Sequence, residues 1–217
     1  EAMQLSPDGA SALAIVYSAP RQFLVLPTGT GEPRPLTVAG FNYLGAGWYP
    51  DGRRVVFVAE KQGQRLSAYV QEVAGGAPAR LDVDLGPFGE RLRKRTTLLV
   101  SPDGKWFTGT VGPPTLVPIE RGSPRALPNL GLADVPVGWA ADGRSLFVGR
   151  PGSTEGAVQI VRVDVARGAI TPWKEIVPHD VAGLMGRPRC QITPDGRTIV
   201  YSMDRFLTDL YLVEGLK

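Results

Sequence analysis

Ser101-Pro102-Asp103-Gly104 is one of five versions of the same four-residue turn, the others being Ser6-Pro7-Asp8-Gly9, Tyr49-Pro50-Asp51-Gly52, Ala140-Ala141-Asp142-Gly143 and Thr193-Pro194-Asp195-Gly196. The residue types suit a tight turn. Proline presets φ for the second turn position, the aspartate carboxylate accepts nearby backbone N–H groups, and glycine takes the positive φ that other residues resist. Five turns of one kind imply five copies of one structural unit. The fourth copy carries Ala141 where proline is usual, which bears only on the rigidity of that turn.

The apolar residues around each turn define the unit. Three residues before the aspartate stand Leu5, Trp48, Val100, Trp139 and Ile192, and four and six residues after it stand Val55 with Phe57, Leu146 with Val148, and Ile199 with Tyr201. Ala12 with Ala14 and Phe107 with Gly109 are weaker forms of the same pair. Alternation on both sides of a tight turn predicts a β-hairpin. A second hairpin follows in the first four units: Phe23-Leu24-Val25-Leu26 with Pro33-Arg34-Pro35-Leu36, Ala68-Tyr69-Val70 with Pro78-Ala79-Arg80-Leu81, Thr115-Leu116-Val117 with Pro124-Arg125-Ala126-Leu127, and Gln159-Ile160-Val161 with Ala169-Ile170-Thr171. Each unit is thus a meander of strands A and B around the turn, then C and D.

The turn aspartates are separated by 43, 52, 39 and 53 residues. A repeat of about 40–50 residues holding four strands is the mark of a β-propeller blade. One such sheet cannot bury both faces alone, so neighbouring blades must stack around an axis. The expectation is an all-β propeller of about five four-stranded antiparallel blades, over residues 1–40, 41–85, 96–130, 133–175 and 188–217, in a single domain spanning 1–217. Gly47-Trp48 before the second turn returns as Gly138-Trp139 before the fourth, which supports common descent of the repeats.

Composition agrees. With 217 residues, 27 Gly, 20 Pro, 43% hydrophobic and 21% charged residues, the chain is turn-rich, ordered and large enough for a real core. A net charge of +3 is too mild to imply nucleic-acid binding, which needs the charge concentrated on one face. Cys190 is the single cysteine, so no internal disulfide forms. No apolar run reaches membrane-spanning length and no signal-peptide pattern is present. Because Glu1 falls directly on a strand, the chain reads as a C-terminal piece of something longer.

The connections hold the candidates for function. Residues 82–95 form an extended link with four basic residues, Arg91, Arg93, Lys94 and Arg95, readable as a basic lip or as a solvated loop. Residues 176–189 hold the single histidine, His179, beside Asp180, with Arg187 and Arg189 beyond. Adjacent residues need not point together, and no G-x-S-x-G elbow accompanies them, so no catalytic residue is assigned. One His and one Cys do not make a usual zinc site, the repeated aspartates belong to turns whole blades apart, and no phosphate-loop motif occurs. The expectation is no metal and no cofactor. The last unit shows strands at Thr198-Ile199-Val200-Tyr201 and Thr208-Asp209-Leu210-Tyr211-Leu212-Val213 but no outer strand D. That leaves a sticky edge, to be completed by upstream sequence or by a second copy in a homo-oligomer, or to remain three-stranded.

The S-P-D-G turns with G-x-P-x-x-L second hairpins resemble TolB-type, WD-like propeller repeats along nearly the whole chain. The finish, Thr193-Pro194-Asp195-Gly196-Arg197 through Tyr201-Ser202 to Asp209-Leu210-Tyr211-Leu212-Val213-Glu214-Gly215-Leu216, resembles the C-terminal end of sensor propellers attached to bacterial, especially acidobacterial, eukaryotic-like serine/threonine kinases. That resemblance implies a non-catalytic, extracytoplasmic sensing or interaction module, with a cytoplasmic setting as the alternative; no kinase motif is present, so no phosphotransfer residue carries over. Prolyl-oligopeptidase-like hydrolases carry similar repeats as non-catalytic gates, and a TolB-like periplasmic scaffold is a further alternative. With the A–B turns on one face, the B–C and D–A connections build the opposite mouth. This makes Arg21, Tyr43, Lys61, Arg65, Arg91, Arg93, Arg150, His179, Arg187 and Arg205 candidate rim residues, and predicts an acidic protein or peptide, or a small anionic ligand, as partner.

Overall fold

The computed structural model describes residues 2–93, 96–206 and 208. The first blade is β1 (Ala2–Leu5), β2 (Ser11–Val16), β3 (Gln22–Pro27) and β4 (Arg34–Pro35), antiparallel in that order. The second is β5 (Phe41–Trp48), β6 (Arg54–Lys61), β7 (Ser67–Glu72) and β8 (Ala79–Arg80), followed by the short β9 (Asp82–Val83) and helix α1 (Gly86–Leu92). The third holds β10 (Thr96–Val100), β11 (Trp106–Gly109), β12 (Thr115–Pro118), the short β13 (Arg121–Gly122) and β14 (Arg125–Ala126). The fourth is β15 (Val135–Trp139), β16 (Ser145–Pro151), β17 (Val158–Asp164) and β18 (Ile170–Ile176), and the fifth opens with β19 (Arg189–Ile192) and β20 (Ile199–Ser202). The predicted blade order and the A–B–C–D sequence within each of the first four blades are what the structure has. The expected C strand and missing outer strand of the fifth blade fall mostly outside the described residues.

The five turns are built alike. In each, the glycine N–H donates to the carbonyl three residues back, as in Gly104 to Ser101 (2.8 Å) and Gly143 to Ala140 (3.0 Å). Each aspartate Oδ1 accepts the N–H two residues on, from Ala10, Arg53, Lys105, Arg144 and Arg197. In blades one, three and five the residue before proline is Ser6, Ser101 or Thr193, whose hydroxyl donates to the same carboxylate at 2.5 Å. Blades two and four lack that hydroxyl, and there Asp51 and Asp142 pair instead with Arg54 and Arg162, each at 2.7 Å. The missing proline of the fourth turn has a use: the N–H of Ala141, which proline would not carry, donates to the Pro194 carbonyl of the fifth turn at 2.8 Å.

Four apolar layers lie between the five blades, and strand alternation feeds two of them from each inner blade. In β6, Val55, Phe57 and Ala59 face the first blade while Val56 and Val58 face the third. Phe57 is ringed by Phe23, Phe41, Tyr43 and Tyr69 at centroid distances of 5.0 to 6.4 Å. In β16, Leu146 and Val148 face the third blade and Phe147 the fifth.

The Gly-Trp dipeptide works in two directions at once, because neighbouring strand residues point to opposite faces. The Trp48 indole N–H donates back to the Gln4 carbonyl of the first blade (3.2 Å), and that of Trp139 back to the Leu99 carbonyl of the third (3.1 Å). The glycines face forward. A Cβ on Gly47 would lie 2.0 Å from the Leu98 carbonyl oxygen, and one on Gly138 would lie 2.8 Å from that of Ile192. Gly45, with Thr96 similarly close, adds a second bare position on β5, and here β10 pairs parallel with β5 (Thr96 to Gly45, Thr97 to Ala46). Blades two and three therefore share one eight-stranded sheet, joined again at the outer rim by β9 and β13.

The link over residues 82–95 was expected to be extended, and the structure corrects this: residues 86–92 are α1. Phe88 and Leu92, four residues apart and so on one helical face, are buried in the layer between blades two and three. The outer strands β4, β8 and β14 have only two residues each, whereas β18 has seven and carries a bulge at Ile160/Val161 of its partner.

Candidate functional site

A cavity of about 680 Å³ lies where the inner strands of all five blades converge. Its walls are the beginnings of A strands, including Thr96, Thr97, Val135 and Cys190, and the ends of B strands, including Ile15, Gly149, Val200 and Tyr201, with Thr110 just past β11. It is therefore at the end of the axis away from the aspartate turns, where the B–C and D–A connections gather. Its polar lining is hydroxyl, amide and cationic: Thr96, Thr97, Thr110, Gln191, Ser202, Arg187 and Arg189. Thr110 Oγ1 accepts the Thr97 N–H (3.1 Å), which fixes that hydroxyl cluster in place. Arg187 donates to the Ala133 carbonyl (3.1 Å) and has no ion pair among the described residues, and Arg189 stands 3.5 Å from Asp204. Burial pushes the Cys190 thiol up, which keeps it protonated at neutral pH.

Of the ten predicted rim residues, Arg187 lines the cavity. Tyr43 is a correction: strand A of the second blade begins at Phe41, so Tyr43 lies inside the first apolar layer at 0% exposure, its hydroxyl accepting the Val38 N–H (2.9 Å). Burial raises its phenol. The rest sit at the mouth end, Lys61 and Arg150 at the ends of β6 and β16, Arg91 in α1 and the others on connections. Arg93 is bound by both Glu60 and Glu90, Arg150 by Asp134 at 2.9 Å, and Arg205 by Asp180 at 2.6 Å, so these three cations are already neutralised. Arg91 leans over the Phe88 ring (5.3 Å) and donates to Thr115 Oγ1 (3.1 Å). Arg21 lies over Tyr17 (5.7 Å) and Lys61 over Phe41 (5.8 Å). Arg65 and His179 are exposed. Among the described residues, the positive excess at this end therefore comes from Arg21, Lys61, Arg65, Arg91 and Arg187.

His179 and Asp180 make no dyad. The Asp180 carboxylate accepts the Ala182 N–H and the Arg205 guanidinium, and those two interactions hold it below the usual carboxylate range. No cluster of three or more metal-ligating side chains occurs among the described residues. No helix among them is long and apolar enough to cross a membrane.

No family model matches the chain. A Bacillus subtilis (strain 168) protein named as the uncharacterized peptidase YuxL is 28% identical over 216 residues, a match that covers 95% of this chain but 30% of that protein. Among solved structures, TolB from Acinetobacter baumannii superposes with a TM-score of 0.57 at 17% identity, covering 92% of this chain and 53% of that one. The β-propeller domain of Myceliophteria thermophila Cps50 (Swd1) gives 0.55 at 15% identity, covering 92% and 61%. The chain thus spans less than a third of the curated relative and little more than half of these two structures. At such identities the likeness speaks of architecture, and together with the sheet order and the four inter-blade layers it makes this chain a β-propeller.

Proposed function

We propose that the chain is a non-catalytic recognition propeller that takes an acidic peptide or other anionic ligand at the mouth opposite the aspartate turns. The observation that carries this reading is the axial cavity, with threonine hydroxyls in its wall beside Arg187, which has no ion pair among the described residues, and with further cations around it. A recessed site with a few convergent polar groups is the usual form of a ligand pocket. Cations whose counter-charge is not supplied internally favour an anionic guest. The finer reading is the extracytoplasmic sensor region of a bacterial serine/threonine kinase, supported by the resemblance of the finish around Thr193–Leu216. The test is an anion screen by thermal melting at low ionic strength, using inorganic phosphate, citrate and polyglutamate. A rise in melting temperature that salt abolishes is expected, and no shift with any anion would overturn the proposal.

The match to a peptidase-named protein favours a second reading, in which the same mouth screens peptides for a hydrolytic domain. Affinity separates the two. A gate that peptides must leave holds them no tighter than about millimolar, whereas a recognition site holds its partner at about micromolar or below.

A further inference from the structure

Blade five continues past its sheet at the mouth. Beyond the last pair of β19 and β20, Arg189 with Ser202, the backbones stay together: the Met185 N–H donates to the Asp204 carbonyl (2.8 Å), Leu184 bridges Arg205, and the Phe206 N–H donates to the Gly183 carbonyl (2.8 Å). The Arg205 guanidinium clamps the base by donating to Asp180 Oδ2 (2.6 Å) and to the Asp180 carbonyl (2.7 Å). From behind, Leu184 and Val181 crowd Gly156 in the B–C loop of blade four, where an added Cβ would lie 2.5 Å from Leu184. This is a built lip. Its outer side chains are nonetheless apolar and in water, Met185 at 62% and Phe206 at 65% exposure.

We infer that this lip is the apolar half of the recognition site, so that the partner is a peptide segment with bulky apolar residues next to its acidic ones. The inference rests on the proposed reading of the cavity and names the ligand class. Three observations support it. The lip acids, Asp180 and Asp204, are taken by Arg205 and Arg189, so the lip offers an incoming acid no repulsion. The lip residues adjoin the cavity wall in sequence, Met185 two residues before Arg187 and Phe206 four after Ser202, so a guest held by the cations lies against them. Finally, Arg187 and Arg189 line the cavity while Met185 and Phe206 lie outside its wall, which fits a chain that enters the recess and drapes over its edge.

The test uses fluorescein-labelled 12-residue peptides in three series: acidic with Leu and Phe, the same with Ser in place of Leu and Phe, and the same with Lys in place of the acids. Phosphatidylglycerol vesicles form a fourth arm. Only the first series is expected to bind well. The double variant Met185→Ser/Phe206→Ser, at exposed positions and so expected to fold, should weaken it about tenfold while leaving its salt dependence intact. Arg187→Gln should weaken it and flatten the salt dependence. If Arg187→Gln weakens binding but the lip variant binds as well as the parent, or the serine series binds equally, the lip inference falls and the cavity reading stands. If no peptide binds, both fall, and vesicle binding without peptide binding replaces the peptide with a membrane surface.

Discussion

The two ends of this propeller are opposites. At the aspartate-turn end the blades share one design: each carboxylate accepts the N–H two residues on in its own turn, and in blades two and four the turn glycine lies beside the preceding blade's proline, Gly52 by Pro7 and Gly143 by Pro102. At the mouth end no two blades agree. One connection is a helix, one a clamped lip, one a short link through Gly112-Pro113-Pro114, and cations and apolar side chains are left facing solvent. Repetition marks the end whose task is to hold the blades in register, and divergence marks the end released from that task.

Substitutions can break this contrast. The largest loss is expected for Gly47→Ala, since its Cβ would enter the Leu98 carbonyl; we expect about 3 kcal/mol or more, read by urea unfolding. Trp139→Phe keeps most of the ring but leaves the Leu99 carbonyl without its indole partner inside the protein, and about 1–2 kcal/mol should be lost by the same measurement. Ala141→Pro restores the residue used by the other four turns and would stabilise an isolated turn. Here it removes the bond to Pro194, so the melting temperature should fall, by an amount equivalent to about 1 kcal/mol; a rise would show that the tie between the turns is idle.

Acid should strike the regular end first. Burial pushes Asp51, Asp103 and Asp142 up, but hydrogen bonds from Arg53, Ser101 or Arg144 and their neighbours outweigh it, and hydrogen bonds from Ser6 and Thr193 lower Asp8 and Asp195. A carboxylate depressed in the folded state adds stability that is whole above its unfolded value and lost as pH falls through the folded one. Melting temperature should therefore hold down to about pH 4 and drop below it, with a shallower drop in Asp103→Asn. The smallest effect belongs to the mouth. Met185→Ser and Arg187→Gln should each change stability by less than about 0.5 kcal/mol, because Met185 is exposed and Arg187 makes one exposed hydrogen bond, to the Ala133 carbonyl.

The same contrast governs what could be read from residue order. Turns and A–B hairpins are local, set by four residues and a two-residue period, and the sequence pattern located all five. Helix α1 was hidden because Gly86, Pro87 and Gly89 read as a loop, and the spacing of Phe88 and Leu92 was its only signal. Tyr43 was placed at the rim because the length of strand A is not written beside its turn. Arg150 and Arg205 read as free cations because their carboxylates lie 16 and 25 residues away; of the two that hold Arg93, Glu60 lies 33 residues away but Glu90 is only three residues off. The cavity threonines gave no local sign, since a channel wall is assembled from the edges of five separate repeats.

The welded second and third blades decide how the ring comes apart. With backbone bonds joining them at the hub and again at the perimeter, they form a double-width keystone, while the other seams rely on side chains and one or two ties. Loosening from a ring of this kind would begin in the terminal sheets and stop at that block. The amides exchanging last with deuterated solvent would then cluster around Thr96 and Thr97, far from the lip that meets the outside world.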